Sequence, residues 1–327
     1  MAKKYRHLSV EEREKINLLR VQGKSLREIG RLVGRSDATI SRELKRNAPS
    51  RRPGRYLAHK AQSRYQKRLS LAHSRSLMKN RKIRNFVVRG LKDHLSPELI
   101  AGRLPLELPG HSISHETIYQ WVYKEAREFI PYLVRAHKRR KRKGQGKRHK
   151  NLHIPNRTGI EKRPRVAEVR KEVGHWEADT VVSRASPAAL NVLVERVTRL
   201  CHIRRVRQKT AKRCSSATSK CLRKHARAWR KTVTYDNGPE NVLHETVNRE
   251  AGTHSYFCRP YHSWEKGTAE NVIGLIRRFW PKKSDFSGLR NSQIKSMESR
   301  MNRRPRKCLG FKTPLEAYRR ASAALKP

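Results

Sequence analysis

YDNGPEN at residues 235–241 and SWEKGTAENVIGLIRR at residues 263–278 are the stretches from which the rest of the chain is best understood. Asp236 closes an apparent strand, KTVTYDN, and Glu270 sits in an apparent helix, with thirty-three residues between the two acids. A third acid, Asp179, lies in an earlier strand-like segment, GHWEADTVV. Carboxylates supplied by two strands and a helix are the oxygen ligands that hard divalent cations prefer, and Mg²⁺ keeps enough waters for two or three of them to suffice. Two cations about 4 Å apart can activate an attacking oxygen and stabilise a leaving one in phosphodiester chemistry. Asp179, Asp236 and Glu270 are therefore the expected catalytic and metal-ligating set, with two Mg²⁺ or Mn²⁺ ions. Such a site needs no covalent protein intermediate, and no placed Ser or Tyr nucleophile with an Arg and His surround is evident.

Neighbouring residues leave choices open. Glu177 shares the strand face of Asp179, two residues earlier. It is either a fourth acid near the metals or an ion-pair partner for the basic surface. Asp179 is preferred as ligand because it lies nearer the carboxyl end of the strand. Asn237 and Gly238 form a turn in which glycine permits a positive φ close to substrate. Trp264 and Glu265 either position a substrate or cap the last helix, and His175 and Trp176 are expected to be packing residues. His262, beside Tyr261, is expected to be an ordinary surface histidine.

Around these acids the pattern is that of an α/β sheet. HWEADTVVSR, ALNVLVERVT and CHIRRVRQ are three successive strands rich in Val and Ile. A basic helix, TAKRCSSATSKCLRKHARAW, follows, and then KTVTYDN, the helix ENVLHETVNREAG, the short strand THSYFCR and a closing helix through WEKGTAENVIGLIRRFWP. Three meander strands followed by alternating helix and strand describe a ribonuclease H-like core. In that topology the first and fourth strands are neighbours, which brings Asp179 and Asp236 together and sets Glu270 above them.

The amino-terminal part is helical. LSVEEREKINLLRVQ carries a capping box, Ser9 with Glu12, and an inner face of Ile16, Leu18, Leu19 and Val21 before Gly23. SLREIGRLV repeats the device with Ser25 and Glu28, and SDATISRELKRN follows the turn at Gly34. Short helix, glycine turn and polar-faced helix predict a helix-turn-helix with Ile29, Val33, Ile40 and Leu44 inside. Arg35, Ser36, Asp37, Thr39, Arg42 and Arg46 would then face the major groove or its flanking phosphates. A second, weaker instance spans HLSPELIAGRL, with Ser96 before Pro97, and ISHETIYQWVYKEA, with Ile118, Trp121 and Val122 on one side. Its connection, PLELPGHSI, is long, and His115, Glu116, Thr117 and Gln120 are its candidate groove contacts. Residues 48–85 form either a basic helix or a solvated connector.

With 79 Lys plus Arg against 27 Asp plus Glu, the chain carries a net charge of +52. So large an excess implies a polyanionic partner, since each phosphate neutralised by a basic side chain releases condensed counterions. The run RAHKRRKRKGQGKRHKN at residues 135–151 has ten Lys or Arg and no acid. It cannot build a core, and Lys138, Arg139, Arg140, Lys141, Arg142 and Lys143 are expected to touch phosphate. No apolar stretch approaches the roughly 18 residues of a spanning helix. The start of the chain lacks a signal-peptide apolar region, so a cytoplasmic, DNA-associated protein is expected. Five cysteines, odd in number and with no CxxC pair, argue against a disulfide framework and read as reduced thiols.

GHWEADTVV, YDNGPEN and SWEKGTAENVIGLIRRFWPKKSDF together resemble the catalytic region of bacterial transposases of the insertion-sequence-thirty family. LSVEEREKI, GKSLREIGRLVGRSDATISRELKRN, LSPELIAGRL, ISHETIYQWVY and the tail NRRPRKCLGFKTPLEAY extend the resemblance over nearly the whole chain. It implies a DDE transposase whose triad is Asp179, Asp236 and Glu270 and which requires divalent metal. It also implies binding to terminal inverted repeats of double-stranded DNA, cleavage at transposon ends, joining of the 3′-hydroxyl to target DNA, and a homodimer or larger assembly. Departures are Glu-Ala-Asp-Thr where Glu-Gly-Asp-Leu is expected, and Lys266 and Ala269 where Arg and Asn are usual. The competing expectations are a catalytically silent regulator that binds inverted repeats and a structure-selective nuclease. Six segments are expected: a helix-turn-helix at 1–50, a basic connector at 51–85, a second helix-turn-helix-like module at 86–134, a basic linker at 135–168, the ribonuclease H-like core at 169–283 and a helical extension at 284–327.

Overall fold

The computed structural model describes residues 6–47, 56–73, 76–133, 154–260 and 262–325. The basic run containing Lys138 to Lys143 lies outside the described residues, as does Tyr261. The chain divides into two compact units, Met1–Lys79 and Asn80–Pro327.

In the first unit, α1 spans Val10–Val21, α2 Leu26–Val33, α3 Asp37–Asn47 and α4 Ala58–His73. Ser9 Oγ accepts from the Glu12 amide at 3.1 Å while the Glu12 carboxylate accepts the Ser9 N–H at 2.7 Å, which satisfies two otherwise orphaned donors of α1. Ser25 and Glu28 do the same for α2. Gly34, at φ 71, ends α2 in the left-handed region. Ile16, Leu19, Ile29, Ile40, Tyr56 and Ala61 form the core, with Val33 and Leu44 packed at its edge. Leu18 and Val21 depart from the expected inner face and are exposed, because the supporting helices cover only the narrower stripe through Ile16 and Leu19. Buried Arg13 joins the helices, donating to Glu43 at 2.9 Å and to the Leu8 carbonyl at 2.7 Å. Within residues 48–85 the helical alternative holds for α4, whose Arg64 and Arg68 donate to Asn47.

The second unit opens with α5 (Arg81–Lys92), α6 (Pro97–Glu107) and α7 (His115–Lys124). α6 runs through Pro105, beyond its expected end at Leu104, which shortens the connection to α7. Ile118, Trp121 and Val122 are buried as expected. After α8 (Arg165–Glu168) come β1 (His175–Val182), β2 (Ala189–Glu195), β3 (Cys201–Val206), α9 (Ala211–Leu222), β4 (Thr232–Tyr235), α10 (His244–Ala251), β5 (His254–Phe257), α11 (Gly267–Phe279), α12 (Asn291–Arg303) and α13 (Pro314–Ala324). The sheet order is β3-β2-β1-β4-β5, antiparallel across the first three strands and parallel from β1 through β4 to β5.

Strand alternation sorts β1 between two cores. Trp176 and Ala178 pack with Leu222, Val233, Tyr235 and Phe257 on the α9–α10 side. Val181 packs with Val272, Ile276, Phe286 and Met297 on the α11–α12 side. β2 is buried along its whole length, the pattern of a strand covered on both faces. Glu177 and Asp179, odd-numbered like Val181, therefore face α11. Four cysteines are buried free thiols and Cys308 is an exposed one.

Candidate active site and nucleic-acid interface

The parallel pairing of β1 with β4 sets Glu177 opposite Thr234. Two residues further along, the same register carries Asp179 and Asp236 to adjacent positions on the α11 side. Each carboxylate has one oxygen fixed by the chain. Asp179 Oδ1 accepts from the Thr180 amide at 2.7 Å, and Asp236 Oδ1 accepts from Asn241 Nδ2 at 2.7 Å. Their other oxygens face one ammonium: Lys266 Nζ lies 3.3 Å from Asp179 Oδ2 and 3.6 Å from Asp236 Oδ2, and it donates to the Ala178 carbonyl at 3.1 Å. Lys266 is buried. Burial works against its charge, but Asp179 and Asp236 prevail and hold its pKa above the ordinary lysine value. Burial also pushes the Asp179 carboxyl upward, with Lys266 opposing.

A buried cation shared by two carboxylates tests how well the site fits divalent metal. The donor set is all oxygen, and the two free oxygens already converge on one positive charge, so Asp179 and Asp236 fit a hard cation. Glu270 lies in the first turn of α11 and is exposed. The structure does not draw it in with the two aspartates: among the described residues, no group of three or more His, Cys, Asp or Glu side chains converges to hold a metal.

Glu177 is fully buried and takes the ion-pair alternative, though with a core arginine and not the basic surface. Its Oε1 accepts from Arg196 Nη1 at 2.6 Å and its Oε2 from the Ala269 amide at 2.9 Å. Arg196 is anchored in turn on the Ala167 carbonyl at 3.0 Å. Glu177 thus fastens the first turn of α11, which carries Glu270, to the strand that carries Asp179. Arg196 and the ammonium of Lys266 were missed as site components. In the sequence Lys266 stands out only as a departure from the usual Arg.

Gly238 has an ordinary φ of −81, so the expected positive φ is not what its position demands. A Cβ there would stand 2.4 Å from Glu240 Oε2, on a buried side chain that Lys209 holds at 2.8 Å. Asn237 donates to the Cys258 carbonyl. Trp264 is 68% exposed, whereas Glu265 accepts from the Arg259 amide at 2.8 Å and so ties the turn before α11. His175 and Trp176 are buried, as expected of packing residues.

In the helix-turn-helix, the expected contact residues separate by role. The Arg35 guanidinium is committed to Glu12 at 3.0 Å. Ser36 Oγ accepts from the Thr39 amide and meets the Thr39 hydroxyl at 2.9 Å, so both cap α3. Asp37 accepts from the Ala38 amide. Arg42 and Arg46 are exposed. On α7, Thr117 is half-buried and engaged with Ser114, while His115 and Gln120 are exposed, Gln120 donating to Glu116 at 3.3 Å.

Paired carboxylates on neighbouring strands of a β3-β2-β1-β4-β5 sheet, with a helix crossing over them, define an enzyme of the nucleic-acid integrase class. Residues 169–263 match the integrase core domain family, and residues 4–47 match a helix-turn-helix domain family. The transposase of insertion sequence IS4351 from Bacteroides fragilis is 34% identical, over 96% of this chain and 96% of its own length. The transposase of IS1086 from Cupriavidus metallidurans is 32% identical over 96% of this chain and 94% of its own. The InsI transposase of IS30C from Escherichia coli K12 is 34% identical over 97% of this chain and 84% of its own. The chain belongs to the IS30 family of insertion-sequence transposases. Among the described residues no helix is long and apolar enough to cross a membrane.

Proposed function

We propose that this transposase recognises the terminal inverted repeats of its own insertion sequence and carries out metal-dependent cleavage and strand transfer with Asp179, Asp236 and Glu270. The observation that carries the reading is the convergence of Asp179 Oδ2 and Asp236 Oδ2 on a single cationic position. When bound there, a pair of Mg²⁺ or Mn²⁺ ions would polarise the attacking and leaving oxygens of a phosphodiester. The chain supplies the rest. Thr180 and Asn241 orient the two carboxylates, and Lys266 offsets part of their charge. Glu177 holds the turn that presents Glu270. Arg42 and Arg46 on α3, with His115 and Gln120 on α7, offer the exposed side chains suited to duplex contact, and the basic run at 138–143 adds phosphate contacts. Cutting and joining at two ends calls for at least two protomers.

The test uses the full-length protein, a labelled duplex carrying the element's end, and Mg²⁺ or EDTA. Mg²⁺-dependent nicking at the end is expected, abolished in Asp236→Asn and Glu270→Gln with end binding retained. Nicking at the wild-type rate by either variant would remove that residue from the triad. Tight end binding with no cut in Mg²⁺ or Mn²⁺ would leave a binding regulator.

A further inference from the structure

A cavity of about 530 Å³ lies beside the opening turns of α11, inside the size range of ligand pockets, about 300–1,000 Å³. Thr268 and Asn271 of α11 form one wall, Arg304 and Arg306 from the segment after α12 another, and Arg170 and Arg199 complete it. No acid lines it. Lys307 at its rim is paired with Glu98 at 2.6 Å, but among the described residues none of the four arginines has a carboxylate partner.

Their donors are only partly used. Arg199 Nη1 and Arg170 Nη2 both donate to the Thr268 hydroxyl, at 2.8 and 3.3 Å, and Arg306 Nη1 donates to Asn271 Oδ1 at 3.1 Å. Arg306 Nε and Nη2 and Arg199 Nε are buried with no hydrogen-bond partner among the described residues. Buried donors left unpaired are costly, and like charges gathered around the buried Arg304 add to that cost, although Arg170 itself is exposed. Burial and the neighbouring Arg199 lower the pKa of Arg170, and burial lowers that of Arg306. Burial, with Arg306 beside it, lowers Arg304 to about 10. Such a cluster suits an anion. Guanidinium forks match the oxygens of phosphate in two-point contacts, and uncompensated arginines beside an acid site in a DNA-processing chain have an obvious counter-ion.

We infer that this arginine cavity seats a backbone phosphate of the bound DNA strand, close to but distinct from the phosphate held at Asp179 and Asp236. The inference rests on the transposase reading. Thr268 sits between Lys266, which touches both aspartates, and Glu270, so the strand held in the cavity is aligned by the same turn that carries Glu270.

Single phosphates of the end duplex are replaced one at a time by uncharged methylphosphonates, and binding by the full-length protein is measured in EDTA. Wild type, Arg306→Gln, Arg199→Gln and the charge-keeping Arg306→Lys are compared, with thermal melts to confirm folding. At one or two phosphates, neutralisation is expected to weaken wild-type binding about tenfold and the glutamine variants hardly at all. Each glutamine variant also lowers the salt slope by about one, while Arg306→Lys keeps it. Equal penalties in wild type and folded variants at every phosphate would overturn the inference. So would inorganic phosphate raising the melting temperature of wild type but not of Arg306→Gln without any such coupling, which would mark a small-anion site. A wild type that binds end and random duplexes alike would overturn the end-recognition reading, while the phosphate contact, which carries no sequence information, would still be decided by the coupling. That outcome is distinct, because it appears before any variant is compared.

Discussion

Glu177→Gln isolates the ion pair that ties α11 to β1. The carboxylate is fully buried, and the Arg196 side chain is only 5% exposed. Removing the charge leaves Arg196 buried and uncompensated, although a glutamine can still accept from the Ala269 amide. Breaking a buried pair from one side typically costs about 3–5 kcal/mol. With a urea m-value of about 2–3 kcal/mol/M, the unfolding midpoint of the second unit should fall by roughly 1.5 M. Tryptophan fluorescence reports this unit alone, because all five tryptophans lie beyond residue 79. Adding Arg196→Met removes the orphan charge, so the double variant should recover more than half of the loss. It should also regain measurable end cleavage, because the acids at 179, 236 and 270 are untouched. A single-variant cost under about 1 kcal/mol, or a double variant as unstable as the two singles summed, would refute the buried-pair assignment. A stable double variant with no cleavage would instead make Glu177 a metal ligand.

Lys266→Met removes the ammonium between Asp179 and Asp236. Mn²⁺ affinity, read by electron paramagnetic resonance, should then rise about tenfold, and unchanged affinity would mean that Lys266 does not compete for the metal position. Arg103 binds Glu316 at 2.6 Å and holds its carboxyl down at about 2, fastening α13 to α6. A depressed acid stabilises the fold above its unfolded value near 4.5 and loses that contribution as pH falls towards 2. Arg103→Gln should therefore flatten the acid side of the stability profile between pH 4.5 and 2. An identical profile would show the half-buried pair to be screened. Arg42→Ala should weaken end binding and lower the salt slope by about one without changing metal affinity, and an unaltered slope would place that side chain off the phosphates.

Sequence alone determined the elements and the kinds of side chain they carry. Ser9 with Glu12 and Ser25 with Glu28 announce helix starts within four residues. Alternation in HWEADTVV sends Glu177 and Asp179 to one face, and the strand-helix rhythm after it puts β1 beside β4. Such signals are local, so a single chain displays them. Tertiary structure decided what those side chains meet. Glu177 and Asp179 share a face and a charge, and only the packing of Arg196 and Ala269 on one, and of Lys266 on the other, gives them different roles. Leu18 and Val21 look inward by composition and face outward because no helix among the described residues covers them. The arginine cavity collects residues 170, 199, 304 and 306 from parts of the chain up to 136 positions apart. No spacing rule joins them. Their convergence follows from helices packing on a sheet, and the cost of clustering those charges is visible only once their surroundings are known.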